Sequence, residues 1–539
     1  MGQQVTLDIG AVGRIEGDLD VRVVLEDGVV VEAWTEAAMF RGFELILKGK
    51  DPQAGLIVTP RICGICGGSH LYKSVYALDT AWKTHVPPNG TLIRNIAQAS
   101  ETIQSIPRWF YALFAIDCVN KAFAKSKFYD EVVRRFSPFV GTSYEPAVQT
   151  SAKPVEIYAL FGGQWPHSSF MIPGGVMCAP GLSEMTRAYS LLEYWRTNWL
   201  EPIWLGCTVE RWLENKSWND VLAWLDEAPS HKNSDCGLFI QFCMDVGWDK
   251  IGSWDANYLS TGTYFNEQTY QHPTIDGRNA SLIARSGIFD GKNYHEFDQA
   301  NVREDHTHSF YKGSALLHPF DGVTEPIDPL DGRKQDKYSW AKSPRYDIPG
   351  KGLSPMEVGP LARQVMAGKP NAQDWQDYDP LFLDCVQKMG CSVMVRVLSR
   401  MHEAPKLYTR IKDWLGKVDL HDNFYIKPEE LAEGKGFGST EAARGALSDW
   451  IQIKDGKIEN YQVVTPTAWN IGPRDSKGQH GPIENALLGT HIKNQDDPLE
   501  VGIIARSFDS CLVCTVHCYD KKTNKELAKY KVGPTMSIC

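Results

Sequence analysis

Two Cys-x-x-Cys pairs, Cys63-Gly64-Ile65-Cys66 and Cys511-Leu512-Val513-Cys514, stand 445 positions apart at opposite ends of the chain. If the four thiolates share one site, the fold must bury its first and last segments against each other. Four thiolates around a tetrahedral d10 zinc ion are one reading, although zinc ribbons keep their pairs close because the metal organises a small loop. A thioredoxin-type redox motif needs only one pair, beside a βα turn. Spacing alone leaves zinc open, and a metal joining segments this remote lies between folded layers.

The other nine of the thirteen cysteines (Cys118, Cys178, Cys207, Cys236, Cys243, Cys385, Cys391, Cys518 and Cys539) form no such pair, and most are expected to be small buried hydrophobes. The count is odd, and the start MGQQVTLDIGAVGRIEG lacks the basic and apolar regions of a signal peptide. Both features fit reduced thiols and fit a disulfide framework poorly. Hydrophobic residues make up 43% of 539, enough to bury a sizeable core and too many for a disordered protein. The net charge of −10 argues against a nucleic-acid partner, because neutralising phosphates requires a basic face. No run of 18 consecutive apolar residues occurs, so no transmembrane helix is expected.

Residues 5–35 alternate apolar and polar side chains around an Asp27-Gly28 turn, the pattern of an antiparallel hairpin. From about 88 to 135 apolar residues recur at helical spacing, with Asn89 as the candidate cap. A second helical stretch follows Pro180-Gly181 and should kink or end at Pro202. Residues 210–228 and 376–401 read as further core helices, 245–350 as strands and loops, and 445–465 as short strands around Asp455-Gly456. The expected fold is α+β and predominantly α: a central bundle of long helices, peripheral small antiparallel sheets, and N- and C-terminal segments meeting at a metal site. Residues 1–517 are expected to form one interwoven domain, with a β-rich part over 1–60, core helices over 88–230 and 376–401, and 518–539 as an extension.

The flanking residues carry more information than the spacing. The first pair sits in Pro60-Arg61-Ile62-Cys63-Gly64-Ile65-Cys66-Gly67-Gly68-Ser69-His70, and the second in Arg506-Ser507-Phe508-Asp509-Ser510-Cys511-Leu512-Val513-Cys514-Thr515-Val516-His517. With Gly13-Arg14-Ile15-Glu16-Gly17, Phe40-Arg41-Gly42-Phe43-Glu44, Ala443-Arg444-Gly445-Ala446-Leu447 and Trp469-Asn470-Ile471-Gly472-Pro473-Arg474-Asp475, these closely resemble the large, catalytic subunit of a [NiFe]-hydrogenase. The resemblance runs from about residue 5 to 517, with the motifs in consistent order.

The resemblance implies a nickel ion held by Cys63, Cys66, Cys511 and Cys514, with Cys66 and Cys514 bridging to an iron that carries CO and two cyanides. Soft thiolates suit such a pair because they can bridge two metals and tolerate a changing nickel oxidation state. Arg444, Pro466 and Thr467 correspond to the residues facing the cyanides, and Asp509 to one orienting groups around the cluster. A terminal thiolate such as Cys511 is the implied first base for the proton of H2, and Glu16 the next acceptor. Glu16 ion-paired with Arg14 is its plain alternative. Glu44, His517 and the backbone carbonyl of Val463 would bind a second metal, Mg2+ or else Fe or Ca.

Some positions depart from the family pattern. Asp18 stands where a His is usual, and Ser105 where an aspartate often lies near the cluster, so that role is not transferred. Asp509-Ser510-Cys511 replaces the commoner Asp-Pro-Cys, which points to the cyanobacterial-uptake and H2-sensing branches. Ile65 stands where many members have Val, and its extra methylene is expected to narrow the gas route and limit O2 access.

No further set of four cysteines has iron–sulfur spacing, so an iron–sulfur small subunit is the expected obligate partner. It should dock where the N-terminal and Cys63 segments are exposed, and the heterodimer is expected to assemble further. Family members are commonly trimmed after the final His by a maturation endopeptidase, which makes 518–539 a removable tail by expectation. The expected activity is H2 oxidation in the uptake direction, in the cytoplasm or at a membrane through partners. An H2-sensing regulatory subunit is the alternative. A cluster-free complex I relative is disfavoured by retention of all four cysteines.

Overall fold

The computed structural model describes residues 4–10, 12–14, 17–314 and 316–511. Strands β1 (Gln4–Ile9), β2 (Leu19–Glu26) and β3 (Val29–Ala37) form an antiparallel sheet in that order. Leu19, Val21, Val23 and Leu25 are buried while the residues between them are more exposed, as a half-buried strand requires. Asp27 and Gly28 both take positive φ at the turn, matching the twist of a tight hairpin. β3 is fastened to the far end of the chain: Val30 N donates to Thr490 O at 2.9 Å, and Thr35 N to Glu484 Oε1 at 3.0 Å.

The main helices are α1 (Gly67–Trp82), α2 (Pro88–Trp109), α3 (Ala152–Gly162), α4 (Leu182–Trp195) and α5 (Val393–Lys417). α2 packs on α3 and α5, and α4 touches both of these. Asn89 is not the cap of α2. Pro87 holds that position and Pro88 starts the helix, its missing N–H costing nothing there. The Asn89 side chain instead exchanges hydrogen bonds with the backbone of Asp419. The helical stretch does not run unbroken to 135. It passes into a π-helical turn, Phe110–Phe114, and resumes as Tyr129–Phe136. α4 likewise continues as a π-helical segment, Arg196–Leu205, that contains Pro202 and ends at Gly206. The 376–401 stretch is two helices, Leu381–Met389 and α5, the second capped by Ser392 and running on to Lys417.

Between 258 and 354 the chain forms short antiparallel strands, as its composition implies. One sheet is not peripheral. Strands β4 (Gly434–Ala442), β5 (Gly445–Lys454) and β6 (Lys457–Val464) pair in order, the first two almost wholly buried, with α1 laid on them. A Cβ at Gly436 would come within 1.9 Å of Ala77 O, and one at Gly438 within 2.0 Å of Lys73 O. The glycines of β4 let the helix backbone rest directly on the strand.

Candidate metal centre

Cys63 leaves the short 3-10 helix Thr59–Ile62 with extended backbone, and Cys66 is the residue immediately before α1. The positive end of that helix favours a thiolate at Cys66. From the other end of the chain, helix α6 (Pro466–Ile471) and helix α7 (Leu499–Ser507) frame the second half-site. Just after α7, Asp509 adopts left-handed backbone (φ 54°), a conformation aspartate tolerates, and this turns the chain inward to bury Cys511. The Cys511 N–H then donates to Thr467 Oγ1 at 3.1 Å.

Cys63 Sγ and Cys511 Sγ lie 3.9 Å apart. Two sulfurs each about 2.3 Å from one tetrahedral ion would sit roughly 3.8 Å apart, whereas a disulfide needs about 2.05 Å. Cys66 and Ile65 pack in the same buried cluster, and Ile65 N donates to Cys63 Sγ at 3.4 Å. Among the described residues no three His, Cys, Asp or Glu side chains close by themselves around a metal-sized point. Cys514, the expected fourth ligand, lies outside the described residues, as do Glu16 and His517. Arg14, two positions before Glu16, pairs with Asp117 at 2.6 Å and with the carbonyl of Leu113 at 2.7 Å.

Arg444 is in the two-residue turn between β4 and β5. Gly445 follows at φ 124°, where a Cβ would meet Gly359 N at 2.6 Å, so the turn is fixed and the arginine is held on rigid strands. Burial opposes its charge, but Asp509 and then the thiols of Cys511, Cys66 and Cys63 outweigh that and hold the guanidinium well above its usual range. Its Nε faces Asp509 Oδ2 at 3.3 Å, whereas its Nη1 is buried without a hydrogen-bond partner, which leaves a donor for an anionic group in the pocket. Pro466 and Thr467, buried at the start of α6, complete the pocket's expected lining. Burial pushes the Asp509 carboxyl up, with Arg444 and Arg400 pulling it back down.

Three residues near this pocket were not singled out by sequence reasoning. His70 is four positions after Cys66, hence on the same side of α1. Both its ring nitrogens are buried without partners, and burial, with Lys73, keeps it neutral. Glu101 accepts hydrogen bonds from Gly68 N and Ser69 N, each at 2.8 Å. Arg400 contacts Asp509 Oδ2 at 2.9 Å. The signals were a His closing the first motif and ionisable residues embedded in apolar helical stretches.

A second polar cluster surrounds Glu44, on the short helix Phe43–Leu47. Val463 N donates to Glu44 Oε1 at 3.0 Å, and Lys342 Nζ lies 2.9 Å from Oε2. Thr324 and Gln462 join through Lys342. Glu304 Oε1 is buried and unpartnered beside a cavity that Glu44, Lys342, Val463 and Thr465 also line.

A family model described as nickel-dependent hydrogenase matches residues 41–133 and 139–517. The chain belongs to the nickel-dependent hydrogenases. It is 31% identical to the periplasmic [NiFeSe] hydrogenase large subunit of Desulfomicrobium baculatum, over 97% of each chain. It is 30% identical to the uptake hydrogenase large subunit of Bradyrhizobium diazoefficiens, over 98% of each. Among solved structures, the reduced, active Ni-Fe-Se hydrogenase of D. baculatum superposes with a TM-score of 0.78 at 30% identity, covering 95% of this chain and all of that one. The chain is therefore a hydrogenase large subunit, an oxidoreductase acting on H2, and the buried thiols stand in the segments that gave the family its sequence signature.

Proposed function

We propose that this hydrogenase large subunit cleaves H2 heterolytically, in the uptake direction, and passes the electrons to an iron–sulfur small subunit. The observation that carries the reading is the 3.9 Å contact between Cys63 and Cys511 Sγ, with Arg444 beside them. Cys63, Cys66, Cys511 and Cys514 would hold nickel, and Cys66 and Cys514 would also serve an iron bearing CO and two cyanides. Such a centre would supply a redox-active Lewis acid able to polarise H2. The protein supplies the rest. The Cys511 thiolate accepts the proton and the Glu16 carboxyl carries it onward. Arg444, with Pro466 and Thr467, faces the anionic ligands, and its unpartnered Nη1 fits the task of donating to them. Asp509 fixes Arg444, and the buried walls keep water from the thiolates.

Glu44, the Val463 carbonyl and His517 hold a hard cation, Mg2+ by chemistry or otherwise Fe or Ca. The orphan Glu304 Oε1 beside the same cavity supports a cation or its waters there. The small subunit docks near Cys63, where Leu45, Ile46 and Ile57 are 45–55% exposed on the two short helices that precede it. No helix of the described residues is long and apolar enough to cross a membrane. A maturation endopeptidase removes 518–539, and the heterodimer works in the cytoplasm as a higher oligomer. Elemental analysis and infrared spectroscopy of the isolated heterodimer test this reading: nickel, iron and bands in the CO and cyanide stretching region are expected. Zinc in place of nickel, or no such bands, overturns it.

A further inference from the structure

We infer that Arg400 is a positioning residue of the metal pocket: it holds Asp509 and the Arg444 turn in place, and its charge withdraws electron density from the ligands of the iron. The inference rests on the nickel–iron reading above.

Arg400 lies on the buried stretch of α5, among Val397, Leu398, Met401 and Ala404, and is itself 1% exposed. Burying a guanidinium in apolar surroundings is costly unless the charge is used. Its plane covers the ring of Trp109 at 4.5 Å. Its Nη1 donates to Ala443 O at 2.9 Å and lies 2.9 Å from Asp509 Oδ2. Ala443 is the other residue of the turn that carries Arg444, and Asp509 is the carboxylate that Arg444 Nε meets at 3.3 Å. Arg400 thus grips both supports of Arg444.

The charges around this grip are uneven. Asp509 is shared by two guanidiniums. The next carboxylates, Glu403 and Glu441, belong to Arg363, which binds Glu403 through both Nε and Nη2 and Glu441 through Nη1. Burial brings Arg400 down only to about 10, so it stays charged at neutral pH. Within the grip itself, Arg400 and Arg444 are two positive charges against the one carboxylate of Asp509, and it is Arg444 that stands nearest the thiols of Cys511, Cys66 and Cys63. A site of several thiolates and anionic iron ligands is where such a surplus is useful, because a nearby positive charge lowers the energy of added electrons. Arg444 touches the ligands and Arg400 acts through it.

The test uses the purified heterodimer with Arg400→Gln and Arg400→Lys. In Arg400→Gln the nickel and iron contents should equal those of the unmodified protein. Its CO and cyanide bands should move to lower wavenumber, and the redox transitions followed by those bands to lower potential. Arg400→Lys, which keeps the charge, should restore most of both shifts. Unmoved bands and potentials in Arg400→Gln with metals intact overturn the inference, as does loss of metal from both variants, which would make Arg400 an assembly residue. Loss of metal from Arg400→Gln alone, with Arg400→Lys loaded and unshifted, supports the need for charge. Absence of nickel or of any CO and cyanide bands in the unmodified protein would instead refute the underlying nickel–iron reading.

Discussion

Glu101 offers a quantitative test of how the first half-site is held. Its carboxylate, on α2, accepts from Gly68 N, Ser69 N and Ser69 Oγ at 2.8 Å each, and from Trp165 Nε1 at 3.0 Å. Gly68 N and Ser69 N are the second and third amides of α1, in its first turn after Cys66, where an anion also meets the positive helix end. Glu101→Gln keeps one accepting oxygen and turns an NH2 toward the donors served by the other, so two of the four bonds are lost. At about 1.5 kcal/mol or more for each bond to a charged acceptor, opening the first turn of α1 becomes easier by about 3 kcal/mol. Amide exchange scales with that opening, and at 1.4 kcal/mol per tenfold the amides of Gly68 and Ser69 should exchange about 100-fold faster. Hydrogen–deuterium exchange on a peptide spanning 66–72 of the heterodimer reads this directly. Exchange unchanged from the parent would refute the assignment of Glu101 as the clamp on this turn.

Thr467→Val leaves the buried Cys511 N–H without an acceptor, at a cost of about 1–3 kcal/mol. Nickel should be lost to a chelator faster while circular dichroism stays unchanged. Burial raises Glu484 to about 7 despite donors from Thr35, Gly481 and Tyr338. Its folded pKa lies above its unfolded value, so its stabilising contribution is full below about pH 4.5 and is lost as pH rises through about 7. Glu484→Gln should therefore flatten the rise in thermal unfolding rate between those limits, and an unaltered pH profile would contradict the assignment. Ile65 packs against Cys63, Cys66 and Cys511. Ile65→Val should speed O2 inactivation, and unchanged O2 inhibition would count against a gas-route role.

Much of this was legible in the chain because local patterns and global fold agree there. The Asp27-Gly28 hairpin and the helices α2 and α4 follow from periodicity and turn chemistry, and the metal pocket from two motifs with specific flanks. The parts that escaped are those where tertiary packing overrides the local signal. The stretch Gly434–Ala442 carries no strand pattern that sequence reading picked out, yet it is a core strand because α1 presses its backbone against Gly436 and Gly438. Asn89 has a cap's chemistry, but Pro87-Pro88 fixes the helix start two residues earlier than a cap at 89 would. Arg400 looked like one more charge on a long helix. Only the approach of Ala443 and Asp509, 43 and 109 positions away, gives it a role.

The thiols in contact belong to segments 448 residues apart, and this has a temporal side. At roughly 5–20 residues per second of synthesis, Cys63 leaves the ribosome something like half a minute to a minute and a half before Cys511 exists. For that interval the N-terminal thiols have no partner from the distal end, and whatever delivers metal meets an open half-cradle. The left-handed turn at Asp509 then brings Cys511 against Cys63 and closes that cradle from its second side.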